Sequence, residues 1–143
     1  MRLLADGISV VLVGIAALHG LWALRIWWPL LDETALARAV VGRAGTIKMP
    51  TPAACWTMVM VLLAAALWLQ FPLDSGGLRG ALVGLGLAVM AALCFARGLG
   101  AYVPALRRSR SEEPFATFDR RYYAPLCLVL GGGVGLVLLT HMI

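Results

Sequence analysis

The chain has 143 residues, of which 62% are hydrophobic and 13% charged, and its net charge is +5. A soluble domain carries about 25% charged residues, so an ordinary water-soluble fold is excluded, and the long apolar runs point to a single membrane domain. The basic residues flank those runs and have no soluble module to sit on, which excludes nucleic acid as the partner served by the positive charge.

The first expected span covers residues 7–30 and is apolar apart from Ser9, His19 and Arg25. Trp22, Trp27 and Trp28 crowd its far end, as an aromatic belt does at a membrane boundary, and Pro29 helps end the helix. Asp6 in the n-region, an apolar run too long for a signal core and the lack of an A-x-A-type site identify a retained span, not a cleaved signal. In the loop from Asp32 to Thr51, E-T-A-L-A-R-A-V-V predicts a short interfacial helix. G-R-A-G-T-I-K-M-P-T-P is turn-rich and predicts irregular chain.

The second span, residues 52–71, opens on Thr51 as N-cap with Pro52 at the first helical position and stops at Pro72. The link L-D-S-G-G is short enough to make spans two and three antiparallel neighbours. The third span, residues 78–101, is rich in glycine and alanine, with Gly80 and Gly84 at G-x-x-x-G spacing. Cys94 and Arg97 stand one turn apart near its end. The loop from Tyr102 to Pro114 contains R-R-S-R-S-E-E-P. The fourth span, residues 118–142, starts amphipathic, is expected to kink at Pro125, and carries His141 in its last turn. Halves one–two and three–four share no motif, so no internal repeat is visible.

The expected fold is therefore an all-α, four-helix transmembrane bundle forming one domain. The two long loops and the span ends beside them hold Arg25, Arg38, Arg43, Lys48, Arg97, Arg107, Arg108, Arg110, Arg120 and Arg121, against Arg2 and Arg79 elsewhere. This bias predicts cytoplasmic loops and both termini on the outer, periplasmic side.

F-A-T-F-D-R-R-Y-Y-A-P-L-C-L at the entry to the fourth span, H-G-L-W-A-L in the first and A-R-G-L-G at the end of the third resemble one family. It is a family of small bacterial four-span membrane proteins catalogued as domain of unknown function 3995. The resemblance covers nearly the whole chain and implies the four-span fold and a multi-pass place in the bacterial inner membrane. It implies no activity. The family tends to follow W-A-L with a glycine pair, where this chain has Arg25 and Ile26.

Ionisable groups inside spans are candidate functional residues by default. His19 lies about 12 Å from the Trp27–Trp28 belt at 1.5 Å per residue, and Cys94 and Cys127 lie at similar depth in their own spans. The plain reading of His19 is a hydrogen bond to a carbonyl or to Trp22 that ties helices together. Arg97 is deep for a belt arginine, and Asp119 is placed to pair with it across spans three and four. That pair reads either as a salt bridge holding the loop down or as an anion or head-group site with Arg97 as its fork. Helical spacing puts Asp119, Tyr123, Leu126 and Leu130 on one face, with Tyr122 about 100° from Tyr123. A polar pocket is expected between His19, Trp22, Arg97, Asp119 and Tyr123, with Cys94 and Cys127 nearby.

No cofactor is assigned. A copper or redox site would use the cysteines with Met49, Met58, Met60 and Met90, but no two of Cys55, Cys94 and Cys127 share a ligand spacing, and small buried cysteines are ordinary core residues. A haem would need His19 and His141, which are badly placed for one ring. Gly131 and Gly135, with Gly132 and Gly133, offer span four a smooth face for contact with span three, for a homodimer or for a larger membrane complex. No H-E-x-x-H, G-x-S-x-G, P-loop or D-x-D pair is present, and no catalytic residue or metal site is assigned. The favoured function is a non-enzymatic membrane protein that binds a small amphiphile among its lipids or assists a larger complex. The alternative is a membrane enzyme or carrier with a site at His19, Arg97 and Asp119.

Overall fold

The computed structural model describes residues 1–72 and 77–142, apart from the side chains of His141 and Met142. Residues 73–76 of the expected link and the His141 side chain of the haem reading lie outside the described residues. The chain forms α1 (Arg2–Ala23), α2 (Glu33–Val40), α3 (Pro52–Trp68), α4 (Leu78–Gly100), α5 (Pro104–Arg108) and α6 (Phe115–Phe118). A π-helical turn over Asp119–Tyr123 then leads into α7 (Ala124–Met142). Three helical runs, Arg2–Ala23, Leu78–Gly100 and Phe115–Thr140, are long and apolar enough to cross a membrane by length and composition. The fourth apolar helix, α3, has 17 residues. That is about 25 Å of helix against about 30 Å of bilayer hydrocarbon. Turns continue it to Phe71, whose N–H donates to the Trp68 carbonyl.

The helix ends follow local chemistry. Thr51 caps α3 by accepting from the Ala54 N–H at 3.3 Å, with Pro52 at the first position, so two of the first orphan donors need no helical partner. Asp32 caps α2 through the Ala35 N–H at 2.8 Å. By contrast, α1 ends at Ala23, well short of the expected residue 30. Ile26 N–H reaches back to the Leu21 carbonyl and Arg25 N–H to that of Trp22, closing the helix with the paired bonds of a Schellman motif. The motif needs a left-handed residue, and Arg25 supplies it with φ 62°. Trp22 Nε1 then donates to the Trp28 carbonyl at 2.9 Å and folds the tryptophan-rich segment back over the helix end. The Arg25 side chain contributes only an exposed 3.4 Å contact with Glu33 and a stacking contact with Trp27, and exposed pairs are worth little. Arg25→Gly is therefore expected to raise stability in detergent by about 1 kcal/mol. A clear loss would show that the side chain outweighs the backbone strain.

The apolar helices pack mainly as two pairs, α1 with α3 and α4 with α7. Ser9 on α1 donates to the Ala66 carbonyl near the end of α3 at 3.0 Å, and Gln70 Nε2 donates to Ser9 Oγ at 2.9 Å. These bonds at the start of α1 and the end of α3 make the pair antiparallel. On the other side, Gly98 faces Ala124 and Leu128 while Gly131 faces Ala91 and Cys94, so α4 and α7 are antiparallel too. Ala5, Ile8 and Leu12 meet Ala66, Leu69, Leu87, Ala91, Leu130, Val134 and Val137 in one core shared by all four helices. Trp68 joins α3 to α4 through a 3.2 Å bond from Nε1 to the Val83 carbonyl.

The glycines work as contacts within the chain at particular positions only. A Cβ at Gly131 would come within 3.2 Å of Cys94 Cβ, and one at Gly133 within 2.8 Å of Ile8 Cδ1. A Cβ at Gly132 or Gly135 would meet nothing within 4 Å. Gly131 and Gly135 thus share a spacing but not a packing role.

The entry to α7 differs from a plain helix. Pro125 has no N–H and its ring would press on the carbonyl four residues back, that of Arg121. The widened turn at Asp119–Tyr123, closed by Ala124 N–H to the Asp119 carbonyl, sits immediately before it. Such insertions are one of the few ways a helix absorbs a disruption without ending. Of the four residues expected on one face, Asp119 and Leu130 are buried and Tyr123 is half-buried, whereas Leu126 is 38% exposed; Ala124 is fully buried.

Candidate functional site

Arg97 and Asp119 meet where α4 ends and the π turn begins. Arg97 Nη2 donates to Asp119 Oδ1 at 2.6 Å. Asp119 is 4% exposed and is the buried charged residue among those described. The distance and the bond between charged partners make this a strong interaction. Arg97 Nη1 is also buried, and no described group accepts from it. The pair therefore holds α4 to the fourth-span entry with one donor unused.

Tyr123 does not turn its hydroxyl to this pair. Its OH donates to the Ala39 carbonyl of α2 at 3.1 Å, and its ring packs on Phe115. Tyr122 is 53% exposed and lies under Arg121. His19 donates from Nδ1 to the Ile15 carbonyl at 2.9 Å, since a carbonyl only accepts, and its ring lies 4.9 Å from that of Trp22. Trp22 belongs to a second core cluster with Ala23, Leu36, Ala37, Met49 and Cys55. Among the described residues, no hydrogen bond or ion pair joins His19 or Trp22 to Arg97, Asp119 or Tyr123. Of the soft ligands, Met49 and Cys55 meet in that cluster, and Cys94 lies against Gly131 at the α4–α7 contact.

The two long loops, 74 residues apart in sequence, are bonded to one another. Arg38 Nε donates to Glu112 Oε1 at 2.7 Å and the Gly45 N–H donates to Glu112 Oε2 at 3.0 Å. The Gly45 amide first, and then the Arg38 guanidinium, hold the Glu112 carboxyl below its ordinary value of 4.5. Its folded value is the lower one, so this clasp contributes above 4.5 and is lost as pH falls through the folded value. Beside it, Gly42 at φ +75° sits directly on the Phe115 ring, and Phe115 is 3% exposed. With Tyr123 bonded to Ala39, these contacts make one cap from α2, its following turns, α6 and the π turn.

Under the cap edge lies a cavity of about 330 Å³. The end of α4 supplies Gly100 and Ala101, α5 supplies Pro104, Leu106, Arg107 and Arg108, and the following turn supplies Arg110, Ser111 and Glu113. Ala116, Asp119 and Arg120 complete it. Of the residues expected in a pocket, only Asp119 lines this one. The sequence reading passed over α5, although Pro104 at a first helical position is a helix signal. The polar loop R-R-S-R-S-E-E-P does not itself point to Arg38 as the partner of Glu112.

Residues 12–134 match a family described as "Protein of unknown function (DUF3995)". The chain belongs to this family. The match takes in the cap, the Arg97–Asp119 pair and the cavity, so these features lie within the family's domain. No curated protein and no solved structure matches the chain.

Proposed function

We propose that this member of the family crosses the bacterial inner membrane four times, with both termini outside, and binds a small amphiphile without catalysing a reaction on it. The carrying observation is the cavity at the C-terminal end of α4. Its walls are mixed: arginines, Ser111 and Glu113 stand with Ala101, Pro104 and Leu106, and Leu106 is 53% exposed. A recess with both polar and apolar walls at a helix end suits a molecule with a head and a tail.

Topology supports the four-span part. The loop after α1 and the loop after α4 are bonded to each other, so they share a side. If α1 and α4 cross, they do so only when α3 crosses between them. The ten-to-two distribution of basic residues supports a cytoplasmic location for that side. The enzyme or carrier alternative is less well supported, because His19 is bonded within its own helix and, among the described residues, no hydrogen bond joins it to Arg97 or Asp119.

The test is a photoactivatable alkyl probe added to the detergent-solubilised chain. Labelling is expected to saturate, to concentrate between Gly100 and Arg120, and to be competed by unlabelled amphiphile. Labelling spread evenly over the apolar helix faces without saturation would overturn the reading.

A further inference from the structure

The walls of the cavity are unevenly charged. Arg107, Arg108, Arg110 and Arg120 line it, against Glu113 and Asp119. Asp119 is already neutralised by Arg97 at 2.6 Å, and Glu113 accepts from the Thr117 N–H at 3.2 Å. Arg120 spends its Nε on the Ala116 carbonyl. Among the described residues, the side chains of Arg107, Arg108 and Arg110 have no hydrogen-bond or ion-pair partner. Three exposed arginines without such a partner thus line a space with a single uncompensated carboxylate.

Guanidinium groups present planar forks of donors that match tetrahedral oxyanions, and they are weakly hydrated enough to be used at interfaces. About 330 Å³ is room for a head group and not for a lipid's chains. Leu106, an exposed apolar residue of the wall, offers a surface on which the chains can leave the cavity.

We propose that this cavity is a binding site for the phosphate head group of an anionic amphiphile, with Arg107, Arg108 and Arg110 as its principal donors. This rests on the amphiphile-binding reading above and specifies the ligand's charge and polar group. Asp119 sets the floor of the site and, being paired to Arg97, does not repel the anion as a free carboxylate would. Glu113, the other carboxylate of the wall, opposes the anion and offsets part of the arginines' attraction.

The test uses the full chain in non-ionic detergent, titrated with a short-chain phosphatidic acid, the matching uncharged diacylglycerol and inorganic phosphate, and read by native mass spectrometry. Phosphatidic acid is expected to bind about tenfold or more tightly than the diacylglycerol, with inorganic phosphate a weak competitor. Removing two donors, Arg107→Gln with Arg110→Gln, is expected to weaken phosphatidic acid about tenfold or more. Removing the same charge from the other loop, Arg43→Gln with Lys48→Gln, is expected to leave binding unchanged. Equal loss from both pairs would overturn the site in favour of a generally basic surface. Equal binding of diacylglycerol would overturn the phosphate assignment while leaving the amphiphile reading intact, and binding of neither lipid would remove both. Inorganic phosphate binding as tightly as phosphatidic acid would assign the site to a soluble phosphate compound and overturn the lipid part. A wild-type salt series gives an independent readout: phosphatidic acid binding should fall as salt rises and diacylglycerol binding should not. A flat series for phosphatidic acid would contradict the charge-based site.

Discussion

Asp119→Ala is expected to lower the stability of the detergent-solubilised chain by about 3–5 kcal/mol, as breaking a buried ion pair does when one partner is left behind. The argument rests on geometry. Asp119 is 4% exposed and its carboxylate meets Arg97 at 2.6 Å. Arg97 already has one buried nitrogen without an acceptor, although its side chain is 33% exposed, so the substitution strands the buried part of the guanidinium. Within an apolar span, an unpaired arginine costs about 2.5–3.5 kcal/mol at the centre and less near the boundary. Replacing both partners at once, Arg97→Met with Asp119→Leu, is expected to recover most of the loss, because an apolar pair removes the stranded charge. A single-site loss below about 1 kcal/mol, the scale of an exposed pair, would mean the bridge is solvated and not structural.

Gly42→Ala is expected to cost about 3 kcal/mol and to loosen the cap ahead of the apolar helices. Two costs add. The backbone at φ +75° is left-handed, which an L side chain adopts at about 1–2 kcal/mol. The new Cβ would also fall on the Phe115 ring, with Cγ at 2.7 Å, and overpacking of a filled site costs about 1–3 kcal/mol. Gly45→Ala is the internal comparison. Gly45 has nearly the same φ, +74°, but open space around it, so only the backbone cost applies and about 1–2 kcal/mol is expected. Hydrogen exchange over residues 104–118 reads the effect directly. Equal exchange in the two variants would show that Phe115 is not held by Gly42.

The parts of the fold that follow from one-dimensional patterns were legible. Apolar runs placed the four long helices, Thr51–Pro52 marked the start of α3, and E-T-A-L-A-R-A-V-V marked the short helix α2. The Arg97–Asp119 pair was legible for a different reason: an arginine inside a span needs a partner, and Asp119 was suitably placed to supply it. What was not legible depends on backbone states that residue identity conceals. Arg25 in a left-handed conformation ended α1 early, because nothing about arginine announces a turn that glycine normally makes. Pro125 signalled a disturbance, but not its form, a π turn over Asp119–Tyr123. His19 and Trp22 met each other as their spacing requires. Spacing on one helix could not say which residues of other helices they would face, and Trp22 joined the cluster of α2, Met49 and Cys55. The cavity depended on α5 and on the Glu112 clasp, both created by chain reversal in loops with weak periodicity.

The central claim is that the two long loops form one cap on one side of a four-span chain. Single cysteines introduced as Ala44→Cys, Ser109→Cys and Arg79→Cys, each on an exposed residue, test it with a membrane-impermeant thiol reagent on intact cells, in a background with Cys55, Cys94 and Cys127 changed to alanine. The account predicts that Arg79→Cys is labelled in intact cells and that Ala44→Cys and Ser109→Cys are labelled only after permeabilisation. Labelling of Ala44→Cys and Ser109→Cys from opposite sides would contradict it.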